Sequence, residues 1–138
     1  MPLTLTATEG VFPQGTEKQV FRQLCAAMLK WHGLAGNRAM TANVVGSINI
    51  LPRDLTYAGL QESTVVFVEW KVPSFAFDTR EIQQGYVEEA TRIVAEASGG
   101  KQPLDRIWVN VLHAVDGAWG IAGKAFTNQQ LGEVISKG

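Results

Sequence analysis

The sequence contains the same pattern twice: a strand, then a helix, then a second strand. The first unit spans about residues 2–51 and the second about residues 63–113. Two β-α-β units in tandem have few ways to bury their apolar helix faces, because both helices must cover one shared sheet. The pattern therefore predicts an α+β fold, with a four-stranded mixed sheet and two helices on one face.

Local signals define the first unit. Residues 3–8 alternate between apolar and polar side chains, as in a half-buried strand. Thr16 and Gln19 have the spacing of a capping box, and apolar residues then recur at helical spacing. Residues 40–51 are predicted to form the second strand, bent or bulged at Gly46.

The second unit follows a linker. Residues 63–72 are rich in β-branched and aromatic side chains and give the strongest strand pattern in the chain. Asp78 and Glu81 mark the start of the next helix, and residues 106–113 form the last long strand. Residues 116–138 are Gly-rich and then amphipathic, which predicts a short hairpin and a helix that reach onto a neighbouring subunit.

The length of the chain indicates a single domain over residues 1–138. A chain of 138 residues can build one proper core but not two independent ones. Residues 63–72 and 107–113 carry apolar side chains on both faces of the sheet, although the two helices cover only one face. We therefore expect another copy of the protein to cover the second face.

The composition argues against several classes of function. A net charge of −1 gives no basic surface for nucleic acid. No apolar run approaches the ~18 residues of a membrane span, and no basic-then-apolar leader opens the chain. His32 and His113 lie far apart without further ligands at metal spacing, and one cysteine cannot form a disulfide scaffold. We expect a cytoplasmic protein that binds neither nucleic acid nor membrane and holds no metal.

Pro2 is the residue that points most directly to chemistry. It follows Met1, and an initiator methionine next to a small residue is commonly removed in cells. The product would be a chain that begins with a secondary amine at the edge of a strand. In a desolvated pocket near cations, such an amine loses its proton easily and can act as an acid or base near neutral pH.

Three local matches, together with Pro2 and the repeated β-α-β unit, support a resemblance to a known family. They are residues 1–3 (Met-Pro-Leu), residues 107–109 (Ile-Trp-Val) and residues 116–124 (Asp-Gly-Ala-Trp-Gly-Ile-Ala-Gly-Lys). Together they resemble the tautomerase superfamily, especially longer members such as malonate semialdehyde decarboxylase, cis-3-chloroacrylate dehalogenase and macrophage migration inhibitory factor. The resemblance implies a homotrimer without a cofactor. It also implies that Pro2 lies in a small pocket between subunits and moves a proton on a small 2-oxo or unsaturated carboxylic acid.

Four further residues are candidate substrate ligands. Lys71 ends a buried strand, where a lone cation needs a partner. Arg38 lies in the turn before the second strand and Arg80 in the first turn of a helix, and both also fit ordinary solvated side chains. Asn110 places an amide on an otherwise apolar strand face. The resemblance implies that one of these three cations holds the substrate carboxylate and stabilises the charge of the enolate, and that Asn110 orients the substrate.

Four other residues are predicted to be structural. His113 ends a strand, and His32 is expected to interact with free carbonyl groups at the end of a helix. Trp119 is expected to pack in the Gly-rich turn, although the resemblance places it near a pocket rim. Cys25 lies on the buried helix stripe and is expected to be inert.

Other functions remain open at this point. Hydration, dehalogenation or decarboxylation of a similar acid requires a water activator, and the sequence shows no counterpart of the dehalogenase's paired arginines or tyrosine. A non-catalytic trimer that binds a ligand or a protein fits the small number of polar candidates. Without the resemblance, the same pattern fits a ferredoxin-like dimer that binds a small apolar ligand.

Overall fold

The computed structural model describes residues 1–138, which form eight strands and four α-helices. In chain order they are β1 (Pro2–Thr8), α1 (Thr16–Trp31), α2 (Arg38–Asn43), β2 (Val45–Leu51), β3 (Tyr57–Ala58), β4 (Gln61–Glu62), β5 (Val66–Pro73), α3 (Arg80–Ala97), β6 (Ile107–Ala114), β7 (Trp119–Ile121), β8 (Lys124–Phe126) and α4 (Asn128–Ser136).

Four strands form one mixed sheet in the order β2-β1-β5-β6. Each β-α-β unit pairs its own two strands in parallel, β1 with β2 and β5 with β6. The two units join where β1 runs antiparallel to β5 at the centre of the sheet, with Leu3 opposite Trp70. This arrangement confirms the predicted α+β fold with a four-stranded mixed sheet.

The core lies between this sheet and the helices α1 and α3. Alternate residues of β1 and β5 are buried, as expected for strands with one covered face. Trp70 and Tyr86 are fully buried, and the Trp70 indole Nε1 donates a hydrogen bond to the Tyr86 hydroxyl at 2.7 Å. That hydroxyl in turn donates to the carbonyl oxygen of Leu24 at 3.1 Å. These bonds satisfy the polar ends of both rings and tie β5, α3 and α1 together.

Gly85 of α3 makes room for the ring of Trp31 from α1. A Cβ atom at this position would overlap the ring of Trp31, so only glycine lets the ring lie across α3. The Trp31 indole and the Lys30 ammonium each donate to the Glu89 carboxylate at 2.6 Å. The hydrogen bond from Lys30 is the main cause that lowers the pKa of Glu89, with Trp31 adding to it.

Two local predictions in the first unit are wrong. Residues 40–51 do not form one strand, because Arg38–Asn43 is a short helix whose N-cap, Asn37, accepts a hydrogen bond from the Met40 amide at 3.0 Å. Gly46 does not mark a bulge, since β2 pairs with β1 in continuous register. Its role is a close backbone approach: a Cβ atom there would overlap the carbonyl of Leu3.

The predicted capping box at the start of α1 is also absent. Gly15 is the N-cap and makes no side-chain cap, so Thr16 is already the first helical residue. A capping box does form at α4, where Thr127 and Gln130 satisfy each other's backbone amides. The helix-end prediction for His32 is confirmed, because its Nδ1 donates to the Met28 carbonyl oxygen at 2.8 Å.

The second face of the sheet has no cover within the protomer. Trp108 and Leu112 on this face are each 55% exposed. Polar side chains interrupt them, with Glu69 of β5 opposite Asn110 of β6. The open face is therefore more polar than the sequence pattern predicts, although its aromatic and aliphatic groups are still unpartnered.

The C-terminal segment forms the predicted hairpin and helix, but it packs on its own protomer. The side-chain amide of Asn37 donates to the carbonyl oxygen of Ile135 at 3.0 Å, and Leu131 is buried. These contacts join α4 to α2 and enclose a space next to the start of β1. No helix has the length and apolar character needed to cross a membrane.

Candidate active site

Pro2 lines an open pocket of about 370 Å³ at the end of the sheet. We call this the Lys71 pocket. Its lining residues are Pro2, Lys71, Leu112, His113, Ala114, Ala118, Trp119 and Gly120. Because Leu3 lies opposite Trp70 in the antiparallel register of β1 and β5, the preceding residue Pro2 falls beside Lys71. The fold thus places Lys71, an exposed residue, beside the residue that the sequence predicts to be an acid or base.

A second cavity of about 270 Å³ lies on the other side of Trp119. We call this the apolar chamber. Its lining residues are Met1, Met40, Asn43, Pro73, Phe75, Trp119, Ile121, Ala122, Lys124, Phe126, Leu131, Val134 and Ile135. Asn43 and Lys124 are the only polar residues among them. The chamber is therefore an apolar space built from α2, the end of β5, the C-terminal hairpin and α4.

Met1 fills part of this chamber. Its exposed fraction is only 7%, and its amino group donates a hydrogen bond to the carbonyl oxygen of Asn43. Burial lowers the pKa of this amino group to about 6. The same burial raises the pKa of the nearby Cys25 thiol to about 11, which fits the expected inert thiol. The surroundings of the chain start thus favour neutral forms of both groups.

The chamber and the Pro2 nitrogen are contiguous through covalent geometry. The carbonyl carbon of Met1 is bonded to the Pro2 nitrogen at about 1.33 Å, so the space that Met1 occupies begins at that atom. Trp119 lines both this chamber and the Lys71 pocket. Pro2 consequently stands between an apolar space and a pocket that contains a cation.

The loop between β5 and α3 supports both cavities. Phe77 in this loop has a φ of 54°, a left-handed conformation that is uncommon for a large side chain. His32 accepts a hydrogen bond from the Phe77 amide at 3.0 Å, and the Gln83 side chain donates to the Phe77 carbonyl at 2.8 Å. These bonds fix the loop that carries Phe75, a wall of the apolar chamber.

His113 lies at the edge of the Lys71 pocket, although its place at a strand end predicts only a structural role. Its Nε2 donates to the Ala76 carbonyl oxygen at 2.7 Å, as a structural strand-end histidine would. The same residue also lines the Lys71 pocket together with Pro2. With Nε2 as the donor, Nδ1 of the neutral ring is left as a hydrogen-bond acceptor. The sequence carried no signal for this, because the relevant spacing exists only after β6 pairs with β5.

Solved structures with the same fold cover almost the whole chain. Pt0534, solved after inactivation by 2-oxo-3-pentynoate, has a TM-score of 0.75 and 19% identity, covering 96% of this chain and 99% of that one. A wild-type fused 4-oxalocrotonate tautomerase, solved as a symmetric trimer, has a TM-score of 0.75 and 13% identity over the same shares. N1, of the cis-3-chloroacrylic acid dehalogenase family, has a TM-score of 0.71 and 17% identity, covering 99% of each chain. The chain has the tautomerase fold.

This fold likeness confirms the resemblance at the level of architecture. No protein-family model and no curated protein matches the sequence. The likeness to these solved structures, at identities of 13–19%, therefore concerns the fold. No group of three or more His, Cys, Asp or Glu side chains lies close enough together to hold a metal ion.

The other predicted ligands lie away from Pro2 in the protomer. Arg38 begins α2 and is exposed, and Arg80 begins α3, where its guanidinium donates to Gln83 at 3.0 Å. Asn110 lies on the open sheet face. None of these three lines the Lys71 pocket or the apolar chamber. Their roles as substrate ligands stay predictions.

Proposed function

We propose that the protein is a homotrimeric tautomerase in which the amine of Pro2, after removal of Met1, is the general acid/base for a small 2-oxo or unsaturated carboxylic acid. The observation that supports this most is the place of Pro2, between a desolvating chamber and a pocket that contains Lys71. An amine that must gain and lose a proton near neutral pH requires both an apolar neighbour and a nearby cation.

Keto–enol conversion needs one proton to leave the enol oxygen and one to be added to the adjacent carbon. A Pro2 ammonium group delivers the carbon-bound proton, the enol hydroxyl proton passes to water in the open pocket, and the neutral amine takes a proton back from water. In the reverse direction the neutral amine removes the carbon-bound proton. The Met1 amine in the same surroundings has a pKa lowered to about 6 by burial. The apolar walls around Met1 also border the Pro2 nitrogen, and an amine in such surroundings loses its proton more easily than in water.

Lys71 is proposed to hold the substrate carboxylate. Lys71 lines the same pocket as Pro2, so a carboxylate that it binds there would bring the 2-oxo group towards the amine. A cation in this position also stabilises negative charge that develops on the enolate oxygen. Arg38, Arg80 and Asn110 are further proposed ligands, contributed by neighbouring copies.

Two structural relatives support this proposal. The inactivator of Pt0534 is itself a small unsaturated 2-oxo acid. The fused 4-oxalocrotonate tautomerase is a symmetric trimer, and trimer formation would cover the open sheet face of this protein. Hydration, dehalogenation or decarboxylation stays an alternative, but no Asp or Glu that could activate water lines either cavity of the protomer.

The experiment follows conversion of the enol of phenylpyruvate to its keto form, using protein that mass spectrometry shows to lack Met1. Pro2→Ala should lose about 100-fold or more in kcat/KM, as for removal of a general acid/base. Pro103→Ala, a proline in an exposed loop, is the matched control and should keep full activity. If wild type and Pro2→Ala are equally inactive, the proposed tautomerase function is wrong.

A non-catalytic role has one specific observation in its favour, the apolar chamber itself. A trimer that only binds an apolar ligand has no need of a free Pro2 amine. Chemical blocking of the terminal amine separates the two functions: it should abolish tautomerisation, whereas ligand binding alone would tolerate the block.

A further inference from the structure

The first residue of the chain is enclosed by the fold. Met1 is 7% exposed, and its side chain lies in the main hydrophobic core. Its amino group donates a hydrogen bond to the carbonyl oxygen of Asn43, and its own carbonyl oxygen accepts one from the Val45 amide at 3.3 Å. The side chain, the amine and the carbonyl group of Met1 are therefore all occupied within the folded chain.

We propose that folding protects Met1 from excision, so that the Pro2 amine forms only before the apolar chamber closes or while it is open. The inference rests on the proposed function, because it concerns how the site of that function is activated. A chain that folds with Met1 in place keeps an amide nitrogen at Pro2, and resonance leaves that nitrogen without a lone pair for proton transfer.

Excision is a hydrolysis of the bond between Met1 and Pro2. Water adds across this bond, with the hydroxyl group going to the Met1 carbonyl carbon and the proton to the Pro2 nitrogen. An aminopeptidase that catalyses the step must bind the free amino group and place water at the carbonyl carbon. Both groups are engaged in hydrogen bonds of the fold, so the enzyme has to wait for them to be released.

Strand pairing holds the chain start in place. β1 and β2 pair in parallel from the first residue of each strand, with Pro2 opposite Val45. The two strands approach closely, because a Cβ atom at Gly46 would overlap the carbonyl of Leu3. Met1 lies directly before this ladder, so its carbonyl group turns towards an enzyme only if the hydrogen bond from Val45 breaks.

The helix α4 covers the Met1 side chain. Met1 lines the apolar chamber together with Leu131, Val134 and Ile135 of this helix. The Asn37 side chain donates to the carbonyl oxygen of Ile135 at 3.0 Å and joins α4 to α2. Release of Met1 therefore requires movement of α4 or of the start of β1. Local openings that expose buried apolar groups are sparsely populated.

The parts that enclose Met1 are synthesised well after it. Asn43, which accepts from the Met1 amine, lies 42 residues along the chain, and α4 spans Asn128–Ser136. At roughly 5–20 residues per second, this last wall is made on the order of ten seconds after Met1. Met1 is thus accessible during synthesis and enclosed afterwards, so the state of the chain start is decided before folding is complete.

The experiment treats purified protein that retains Met1 with methionine aminopeptidase and follows the loss of Met1 by mass spectrometry. A synthetic peptide of residues 1–8 is the reference, because it contains the same bond without the fold. We expect the folded chain to be cleaved about 100-fold or more slowly than the peptide, since cleavage follows the population of the open form. A rate closer to that of the peptide would overturn the inference.

A pair of variants tests the cover that α4 provides. Leu131→Ala truncates a chamber residue that is 9% exposed, and it should speed cleavage of the folded chain about tenfold or more by raising the population of the open form. Leu104→Ala makes the same change at a position that is 64% exposed and outside both cavities, and it should keep the wild-type rate. Equal rates for the two variants would overturn the inference. Urea unfolding checks that both fold, and Ile135→Val, a smaller change in the same wall, takes the place of Leu131→Ala if that variant is unfolded.

The outcomes separate this inference from the proposed function, because mass spectrometry detects excision without any activity. If the folded chain resists excision and the processed chain converts no enol, the enclosure of Met1 stands and the tautomerase function fails. If the folded chain is cleaved as fast as the peptide and the processed chain is active, the function stands and the inference is overturned.

Discussion

Removal of Met1 should lower the stability of the fold, and the structure gives the size of the effect. Met1 is 7% exposed and packs in the 23-residue core cluster. Burial of a methionine side chain contributes about 1.5–3 kcal/mol, and truncation of such a side chain in a core costs about 2–5 kcal/mol with the cavity included. We therefore expect the processed chain to be about 2–4 kcal/mol less stable than the chain that retains Met1.

The amino group of Met1 adds a pH dependence to this difference. Its pKa is about 6 in the folded chain because of burial, against 8.0 ordinarily. Between these values the unfolded chain binds a proton that the folded chain does not, so the free energy of unfolding rises with pH. The stability of the Met1-retaining chain should therefore increase from pH 6 to pH 8, and it should be lowest below pH 6.

The assay is urea unfolding of the two forms, prepared with and without co-expressed methionine aminopeptidase and verified by mass spectrometry. Protein concentration must be the same throughout, because trimer formation would add to the apparent stability. Leu60→Ala is the control for loss of an apolar side chain, since Leu60 is 98% exposed and its truncation should change stability by less than about 0.5 kcal/mol. Equal free energies of unfolding of the two forms would show that Met1 does not pack in the chamber and would refute the burial term used here.

Three further predictions concern other parts of the molecule. Gly85→Ala should destabilise the fold by about 1–3 kcal/mol in thermal unfolding, because the new Cβ atom overlaps an aromatic ring of α1. The control Gly132→Ala has open space around the new Cβ atom and should be neutral or stabilising. Lys71→Met should raise the KM for the enol of phenylpyruvate about tenfold or more, because it removes a charged hydrogen bond to the substrate carboxylate. The control Lys101→Met changes an exposed lysine and should keep the wild-type KM. Glu89→Gln should reduce the loss of stability on acidification. The pKa of the Glu89 carboxyl is lowered in the folded state, so the stability that this group contributes is lost as the pH falls through that pKa. An acid-unfolding curve identical to that of the wild type would contradict this role.

The sheet and the two long helices could be predicted because their signals are local and periodic. Alternation in β1 and the dense β-branched run in β5 report the environment of single strands. The sequence does not predict α2, because its residues directly precede a β-branched run and share its strand pattern. The N-cap of this helix depends on one side chain, Asn37. A single capping residue is a weaker sequence signal than the strand pattern that follows it.

The candidate site was only partly accessible from the sequence. Pro2 and Lys71 were identified by residue type and place in the pattern, and the structure puts both in one pocket, although their catalytic roles stay predictions. The apolar chamber gave no sequence signal, because it joins residues as distant as Met40 and Ile135. These residues come together because α4 packs against α2 of the same chain, and no periodic pattern in the sequence predicts that contact.

The same burial underlies both the stability that Met1 contributes and the reactivity proposed for Pro2. Desolvation holds the Met1 side chain in the core, and it lowers the pKa of the amine at the chain start. Excision of Met1 removes the apolar occupant but leaves Phe75, Trp119 and Leu131 in place, so the new Pro2 amine inherits the desolvating walls. In the proposed function the chain would exchange part of its stability for an accessible Pro2 amine, as expected where a functional site competes with packing.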